Sequence, residues 1–316
     1  MPDTLTALGR WLRHENYRFI TPTPATHARV NARSGNAQAK HLRDIFGWNR
    51  PFAPALLPAE IFSMLQEGGL LYDSHKAFRS RVRFSSLGDQ LYVHSSFPTE
   101  AAEAVFFGPD SYRFVTFITA ELALQPLERG ARILDLGCGA GPGGIEATMA
   151  SKAAMPALVL ADINPSALDH ARANAQLANL NQVHFAESDL FNAIGGSFDL
   201  IVANPPYLVD ATARTYRHGG GPLGSGLSER IIADGLARLA PGGRLLLYTG
   251  VAMVDGMDPF LQVVKALLAP CGWPFCYREL DPDVFGEELD MPAYAHADRI
   301  AAVALVVRRP RRPESQ

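Results

Sequence analysis

The apolar positions of this chain change their period at about residue 100. Before that point Leu5, Leu8, Trp11 and Leu12 recur at the three- and four-residue spacing of one helix face. Residues 37–46 and 59–67 predict two further short amphipathic helices, separated by the proline-rich pieces Thr21–Pro24 and Pro51–Pro58. Arg81–Ser85 and Gln90–His94 then alternate like strands around Leu87-Gly88-Asp89, the pattern of a hairpin. An aromatic-rich turn, Phe106–Phe114, leads into a helix reaching about Leu124. From Arg132 onward short apolar runs alternate with helical stretches. Predicted strands cover 132–136, 157–161, 183–186, 198–203, 243–249, 273–280 and 299–307, and predicted helices 143–151, 166–178, 228–239 and 258–268. That alternation implies an α/β fold, a mostly parallel sheet with helices on both faces. Pro241-Gly242-Gly243 reads as a tight turn into the fifth strand. The expected division is a helical N-terminal domain (1–75), a β-hairpin linker (76–100), an α/β domain (101–310) and a tail (311–316).

Composition narrows the classes. The 316 residues are 47% hydrophobic and 19% charged, an ordinary globular balance. A net charge of −3 supplies no global basic field for a nucleic-acid backbone. The one dense basic run, Arg308–Arg312, reads as a solubilising tail. Three cysteines make no disulfide framework and imply a reducing compartment. Cys271 and Cys276 have no histidine partners at metal spacing, so no metal is expected. No basic start followed by an apolar segment is present, and no apolar run approaches the ~20 residues that span a bilayer. The expected setting is the cytoplasm, with no membrane partner.

Two motifs carry the chemistry. Ile133-Leu134-Asp135-Leu136-Gly137-Cys138-Gly139-Ala140-Gly141 reads as a strand running into a glycine turn, and the helix after it offers unpaired N–H groups to an anion. Cys138 needs only to be small. Asp135 would stand near an ammonium group. Asp162, at the end of the second strand, lies where a carboxylate takes both ribose hydroxyls. Ser188-Asp189-Leu190 follows the third strand, where Asp189 would accept an adenine amine and Ile163 and Leu190 would sandwich the ring. Gly139, Gly141 and Gly144 also satisfy a dinucleotide fingerprint, so the turn alone leaves a nicotinamide cofactor open.

The second motif, Asn204-Pro205-Pro206-Tyr207, closes the apolar run Asp199–Ala203, at the strand end where ligands bind in open α/β sheets. An NH2 target has two protons to satisfy. The Asn204 side-chain oxygen would accept one and the Pro205 carbonyl the other, and Asn204 would also line the cofactor. Pro205 and Pro206 fix φ and hold that carbonyl still, and Tyr207 would stack on a flat amide or heterocycle. With the glycine turn, this argues for methyl transfer from S-adenosyl-L-methionine to nitrogen, by positioning and electrostatics rather than a strong base.

On these residues, positions 107 to 307 resemble the class I methyltransferases, whose Rossmann-like seven-stranded sheet ends in an antiparallel strand. Asn204–Tyr207 resembles the amino and amide N-methyltransferases, among them the HemK-type glutamine methyltransferases of peptide release factors and the adenine methyltransferases. A small helical domain, a hairpin and then a catalytic domain is similar to the HemK-type layout. Ser188-Asp189-Leu190-Phe191 resembles that family's acidic loop, and Gly219–Leu227 loosely its segment after the catalytic motif. The family's Pro-Arg-Pro-Glu-Thr-Glu run is replaced here by Phe107-Gly108-Pro109-Asp110-Ser111-Tyr112-Arg113.

The resemblance implies an N-methyltransferase with a protein glutamine as leading acceptor. A small natural-product amide or amine comes next, and a nucleic-acid adenine third. Tyr112 and Arg113 would fold over the methionine end. His218–Gly224 fits a lid or a disordered connector equally. Asp281, Asp283 and Glu287, in the sixth-to-seventh strand connection, would face the acceptor and repel a polyanion.

Overall fold

A computed structural model describes residues 1–73, 77–210 and 217–311. The end of the basic tail, Arg312 onward, lies outside the described residues. In chain order the elements begin with α1 (Pro2–His14), α2 (Pro24–Asn31), α3 (Leu42–Phe46), α4 (Ala59–Glu67), β1 (Leu71–Asp73), β2 (Phe78–Ser80), β3 (Val82–Leu87), β4 (Gln90–Ser95) and α5 (Pro109–Leu124). They continue with β5 (Arg132–Leu136), α6 (Pro142–Ala150), β6 (Ala157–Asp162), α7 (Pro165–Leu177), β7 (Val183–Glu187), β8 (Phe198–Ala203), α8 (Gly226–Gly235), β9 (Leu239–Met253), α9 (Pro259–Leu268), β10 (Phe275–Asp281) and β11 (Arg299–Arg308). The chain forms two compact units. One holds Met1–Arg113 together with Gly139–Pro142 and Pro165–Asn181; the other holds Phe114–Cys138, Gly143–Asn164 and Gln182 onward.

The first unit is built on helix faces that bury leucines. Leu5, Leu8 and Leu12 of α1 are fully buried with Phe46, Phe52, Leu65, Phe84 and Val93. Fully burying such a side chain is worth roughly 2 kcal/mol. α7 completes this core: Ala173 and Leu177 belong to it. The Asn174 side chain exchanges hydrogen bonds with Val93, accepting from its N–H at 2.8 Å and donating to its carbonyl at 3.1 Å. A Cβ on Gly9 would lie 2.6 Å from Leu177, so glycine lets α1 approach α7. β3 and β4 pair as the antiparallel hairpin that their alternation predicts.

Two elements here differ from the sequence expectation. α2 starts at Pro24, within a segment that reads as a helix breaker. Proline at the first helical position loses an N–H that has no partner there anyway, and the Thr23 hydroxyl accepts from the Thr26 N–H at 3.2 Å to cap the helix. The strands β1 and β2 are each three residues long, too short to show a period.

The second unit contains a seven-stranded sheet in the order β10-β11-β9-β8-β5-β6-β7. β11 is antiparallel to both neighbours and the other strands run one way. Central strands are apolar throughout, as strands covered on both faces must be: Leu200, Ile201, Val202 and Ala203 of β8 are fully buried, as are Leu245 to Tyr248 of β9. The predicted turn at Pro241-Gly242-Gly243 lies inside β9 instead. Its pairing with β8 jumps from Phe198↔Leu239 to Leu200↔Arg244, so the residues between form a bulge rather than a separate turn. No described helix is long and apolar enough to cross a membrane.

Candidate functional site

Strand register brings three strand ends of the second unit together. Leu136 of β5 pairs with Ala161 of β6 on one side and Ala203 of β8 on the other. The next residues, Gly137, Asp162 and Asn204, therefore stand side by side at that end of the sheet. Asp162 in turn pairs with Glu187 of β7, which puts Ser188 and Asp189 just beyond the same edge.

Gly137, Gly139 and Gly141 adopt φ of +66°, +54° and +81°. A Cβ on Gly137 or Gly139 would meet nothing within 4 Å, so these glycines answer a backbone demand and leave open space over the turn. Glycine at 144 has a steric reason: a Cβ there would lie 2.7 Å from Leu160, 2.8 Å from Leu158 and 2.9 Å from Asp135. That close approach lets the Gly144 N–H donate to Asp135 Oδ2 at 2.7 Å. Asp135 thus takes one of the helix-start N–H groups that the sequence assigns to an anion. Its carboxyl is 1% exposed. Burial pushes its pKa from 3.8 up to about 8, the Gly144 hydrogen bond opposes the rise and Asp162 adds to it. In stability terms the carboxyl's contribution is fully present below pH 3.8 and is lost as pH rises through about 8. The Cys138 N–H donates to the Ala161 carbonyl at 3.0 Å, and burial raises the Cys138 thiol pKa with help from the two aspartates.

Asp162 is buried, and its Oδ1 accepts from the Asn164 N–H at 2.9 Å. Between them Ile163 is 51% exposed, an apolar side chain standing free beside a buried carboxylate. The Ser188 hydroxyl donates to the Leu190 carbonyl at 2.7 Å and accepts from the Ala193 N–H at 3.0 Å, which fixes the loop. Leu190 holds φ of +49° and packs partly against the main sheet core. Asp189 is half-exposed and lies 3.7 Å from Arg230 of α8, an ion pair of little energetic weight in solvent.

Asn204 is half-buried, Pro205 buried and Tyr207 buried. The Tyr207 ring packs edge-on against Phe285, 5.8 Å between centroids, and a Cβ on Gly250 of β9 would overlap it. The glycine-rich segment after the motif is neither a free lid nor a loose connector. Leu208 bridges His218, and the Gly219 N–H donates to the Leu208 carbonyl at 2.8 Å. A Cβ on Gly224 would overlap the Tyr207 carbonyl, and one on Gly219 the Gly224 carbonyl. The backbone of Pro206–Leu208 is therefore walled in by residues 219–224.

β10 runs parallel to β8, so the β10–β11 connection emerges at the same sheet edge. Its buttressing residues are ones that sequence reasoning missed. The Tyr294 hydroxyl accepts from the Val209 N–H at 2.9 Å, and buried Glu288 pairs with Arg217, which also lies 3.8 Å from Asp210. Their only sequence signal is an aromatic and an acid in a loop otherwise read by its charge. Asp283 and Glu287 are exposed, and half-buried Asp281 accepts from the Asp283 N–H at 3.2 Å. Tyr112 and Arg113 lie in the first unit: the Tyr112 hydroxyl accepts from the Thr21 N–H at 3.1 Å, and Arg113 pairs with Asp110 at 3.2 Å. Among the described residues no group of three or more His, Cys, Asp or Glu is placed to hold a metal ion.

Residues 117–253 match the family model of the methyltransferase small domain. The chain is 36% identical over 182 residues to a release factor glutamine methyltransferase of Deinococcus radiodurans, covering 53% of this chain and 60% of that one. It is 38% identical over 117 residues to a putative protein N5-glutamine methyltransferase of Methanocaldococcus jannaschii, covering 35% and 57%. Among solved structures, the tRNA m1G37 methyltransferase of M. jannaschii superposes with a TM-score of 0.50 at 15% identity, covering 73% of this chain and 58% of that one, a likeness of fold. Sheet order and the family match together fit the Rossmann-like fold of the class I methyltransferases. Within that class the chain resembles the release factor glutamine methyltransferases, spanning about three fifths of the length of the Deinococcus relative.

Proposed function

We propose that the protein is an S-adenosylmethionine-dependent N-methyltransferase that acts on a planar amide nitrogen, with a protein glutamine of release-factor type as acceptor. The observation that carries this reading is the register Leu136↔Ala203, which sets the Asn-Pro-Pro-Tyr motif directly beside the glycine turn. A nicotinamide-dependent oxidoreductase would use the turn and Asp162 but has no use for Asn204 and two prolines at that edge.

The residues present fit the donor. Open space over Gly137, a buried carboxylate at Asp162 and exposed Ile163 next to it would suit a nucleoside. Asp162 would take the ribose hydroxyls, Ile163 and Leu190 the flanks of the adenine, the Ser188-Asp189 loop its amine, and Asp135 the ammonium. The donor, when bound, supplies an electrophilic methyl carbon. The chain's own part is to hold the acceptor. Asn204 Oδ1 and the Pro205 carbonyl each accept one N–H of the NH2 group, which fixes its plane, and the walled backbone of Pro206–Leu208 keeps both oxygens in place. The exposed carboxylates Asp283 and Glu287 disfavour a polyanionic acceptor, and the relatives named for glutamine methylation point to a protein.

Calorimetry with S-adenosylhomocysteine tests the donor site. Asp162→Ala should weaken binding by about 10–100-fold, the loss expected for hydrogen bonds to a charged group. Unchanged binding would remove Asp162 from the site. A second expectation follows from Asp135. Its carboxyl is neutral up to about pH 8 in the free protein, and an ammonium beside it favours the ionised form. Affinity should therefore rise by up to about tenfold per pH unit as pH approaches 8, with proton release, and Asp135→Asn should flatten the dependence. Tritiated-methyl transfer to a release factor, with RNA in parallel, tests the acceptor. Labelling of RNA alone, with a steep salt dependence, would replace the protein by a nucleic acid.

A further inference from the structure

The charge of this chain is unevenly spread. Its first fifty residues hold eight Lys and Arg against three Asp and Glu, a local excess of +5 in a chain whose net charge is −3. Six of those cations, Arg10, Arg18, Arg29, Arg33, Lys40 and Arg43, are exposed. Only Arg18 has an ion pair among the described residues, with Asp89 at 2.9 Å, and that pair is solvated and of little energetic weight. A concentration of unpaired positive charge is the electrostatic footprint of a polyanionic partner.

Within this basic segment lies a cavity of about 350 Å³, lined by Arg18, Phe19, Ile20, Arg43 and Trp48. Its aromatic wall is fixed. The Phe19 ring stands edge-on to Trp48 with centroids 5.2 Å apart, and a Cβ on Gly47 would overlap it. The Ser86 hydroxyl accepts from the Phe19 N–H at 3.2 Å, and the Ser86 N–H donates to the Phe19 carbonyl at 2.7 Å. The Trp48 carbonyl accepts from the Asn31 side chain at 2.9 Å. The wall is therefore in place before a ligand arrives. Ile20, 65% exposed, leaves an apolar side chain uncovered beside it. The Arg43 guanidinium makes no hydrogen bond or ion pair with any described residue.

A hollow of this volume suits a small ligand rather than one amino-acid side chain. Single-stranded nucleic acids are held by this combination: a base rests on aromatic side chains or a guanidinium plane while cations follow the phosphates. An acidic peptide would meet the cations but leave the hollow partly empty. We propose that the first unit binds a single-stranded nucleic acid, with one unpaired base in the Phe19–Trp48 hollow and the flanking phosphates on Arg18 and Arg43. The strand is a bound partner and not the methyl acceptor. The site lies wholly within the first unit and does not depend on the methyl-transfer reading.

The test is fluorescence anisotropy of a labelled ten-nucleotide RNA, and of the matching DNA, titrated with the full chain between about 50 and 200 mM salt. Binding of either strand supports the site, and a preference for RNA shows that the 2′-hydroxyl is read. Arg43→Gln should weaken binding and lower the log–log salt slope by about 0.7, the share of one phosphate contact on a single strand. Trp48→Ala should weaken binding about 5–150-fold, the range for one base–aromatic stack. Arg129→Gln, at an exposed position of the second unit, should change neither quantity. Should Trp48→Ala not fold, Ile20→Asp replaces it, since a carboxylate at that exposed position repels phosphate and should also weaken binding. No anisotropy change at about 50 mM salt, or equal affinity and slope in the wild type and all three cavity variants, would overturn the proposal. Displacement of the RNA by a polyglutamate peptide that binds more tightly would overturn it too, by placing an acidic protein segment there.

Discussion

Replacing Asn204 with alanine is expected to cut methyl transfer by roughly a thousandfold, the cost of deleting one preorganised hydrogen-bonding group at a reacting centre. Asn204 stands at the end of β8, beside the glycine turn but apart from Asp162 and the Ser188-Asp189 loop that would hold the nucleoside. S-adenosylhomocysteine should therefore bind the variant within about threefold of the wild type. The loss should fall on kcat, because the lost hydrogen bond orients the acceptor nitrogen during reaction. Calorimetry together with tritiated-methyl transfer to a release factor separates the two quantities. Retained transfer in Asn204→Ala would return the motif to an ordinary Asn-Pro turn, and lost donor binding would show that Asn204 serves the nucleoside instead.

Gly224→Ala should impair the proposed activity from a position that touches neither donor nor acceptor in the proposed arrangement. Gly224 has φ of +86°, and a Cβ there would overlap the Tyr207 carbonyl. Overpacking against backbone, with a left-handed conformation imposed on alanine, costs about 2–4 kcal/mol. Relief requires the backbone of Pro206–Leu208 to move, and a shift of about 1 Å at a reacting group costs about a hundredfold in rate. Gly130→Ala separates the causes. Gly130 also has a positive φ, of +78°, but a Cβ there meets nothing within 4 Å, so it should cost only about 1 kcal/mol. Denaturant unfolding of both variants, with transfer rates, checks the ordering. Equal stability losses would mean that the 219–224 wall can yield without disturbing the motif.

The sheet was legible because its strands are uninterrupted apolar runs closed by strong punctuation. Asp199–Ala203 ends at two prolines and Arg132–Leu136 at a glycine turn, so both strand ends could be placed almost to the residue. What escaped depends on contacts far apart in sequence. Pro24 reads as a breaker until Thr23 is seen to cap the helix that it starts. Gly219 and Gly224 read as flexibility, since composition cannot distinguish a glycine that moves from one pressed against a carbonyl. Phe285, Glu288 and Tyr294 sit in a loop whose charges dominated its reading, while their contacts lie on residues 207, 217 and 209, between 71 and 85 positions earlier.

The helix α7 has a consequence for how the protein is made. It is translated after the first strand and glycine turn of the sheet, yet Ala173, Asn174 and Leu177 complete the core begun by α1. The first 113 residues therefore leave the ribosome without the piece that closes them, at a synthesis rate of about 5–20 residues per second. For several seconds of translation Leu5, Leu8 and Leu12 lack the side chains of α7 that they bury against. A ribosome stalled just short of Pro165 should therefore hold an N-terminal segment that a protease removes more readily than one stalled past Asn181.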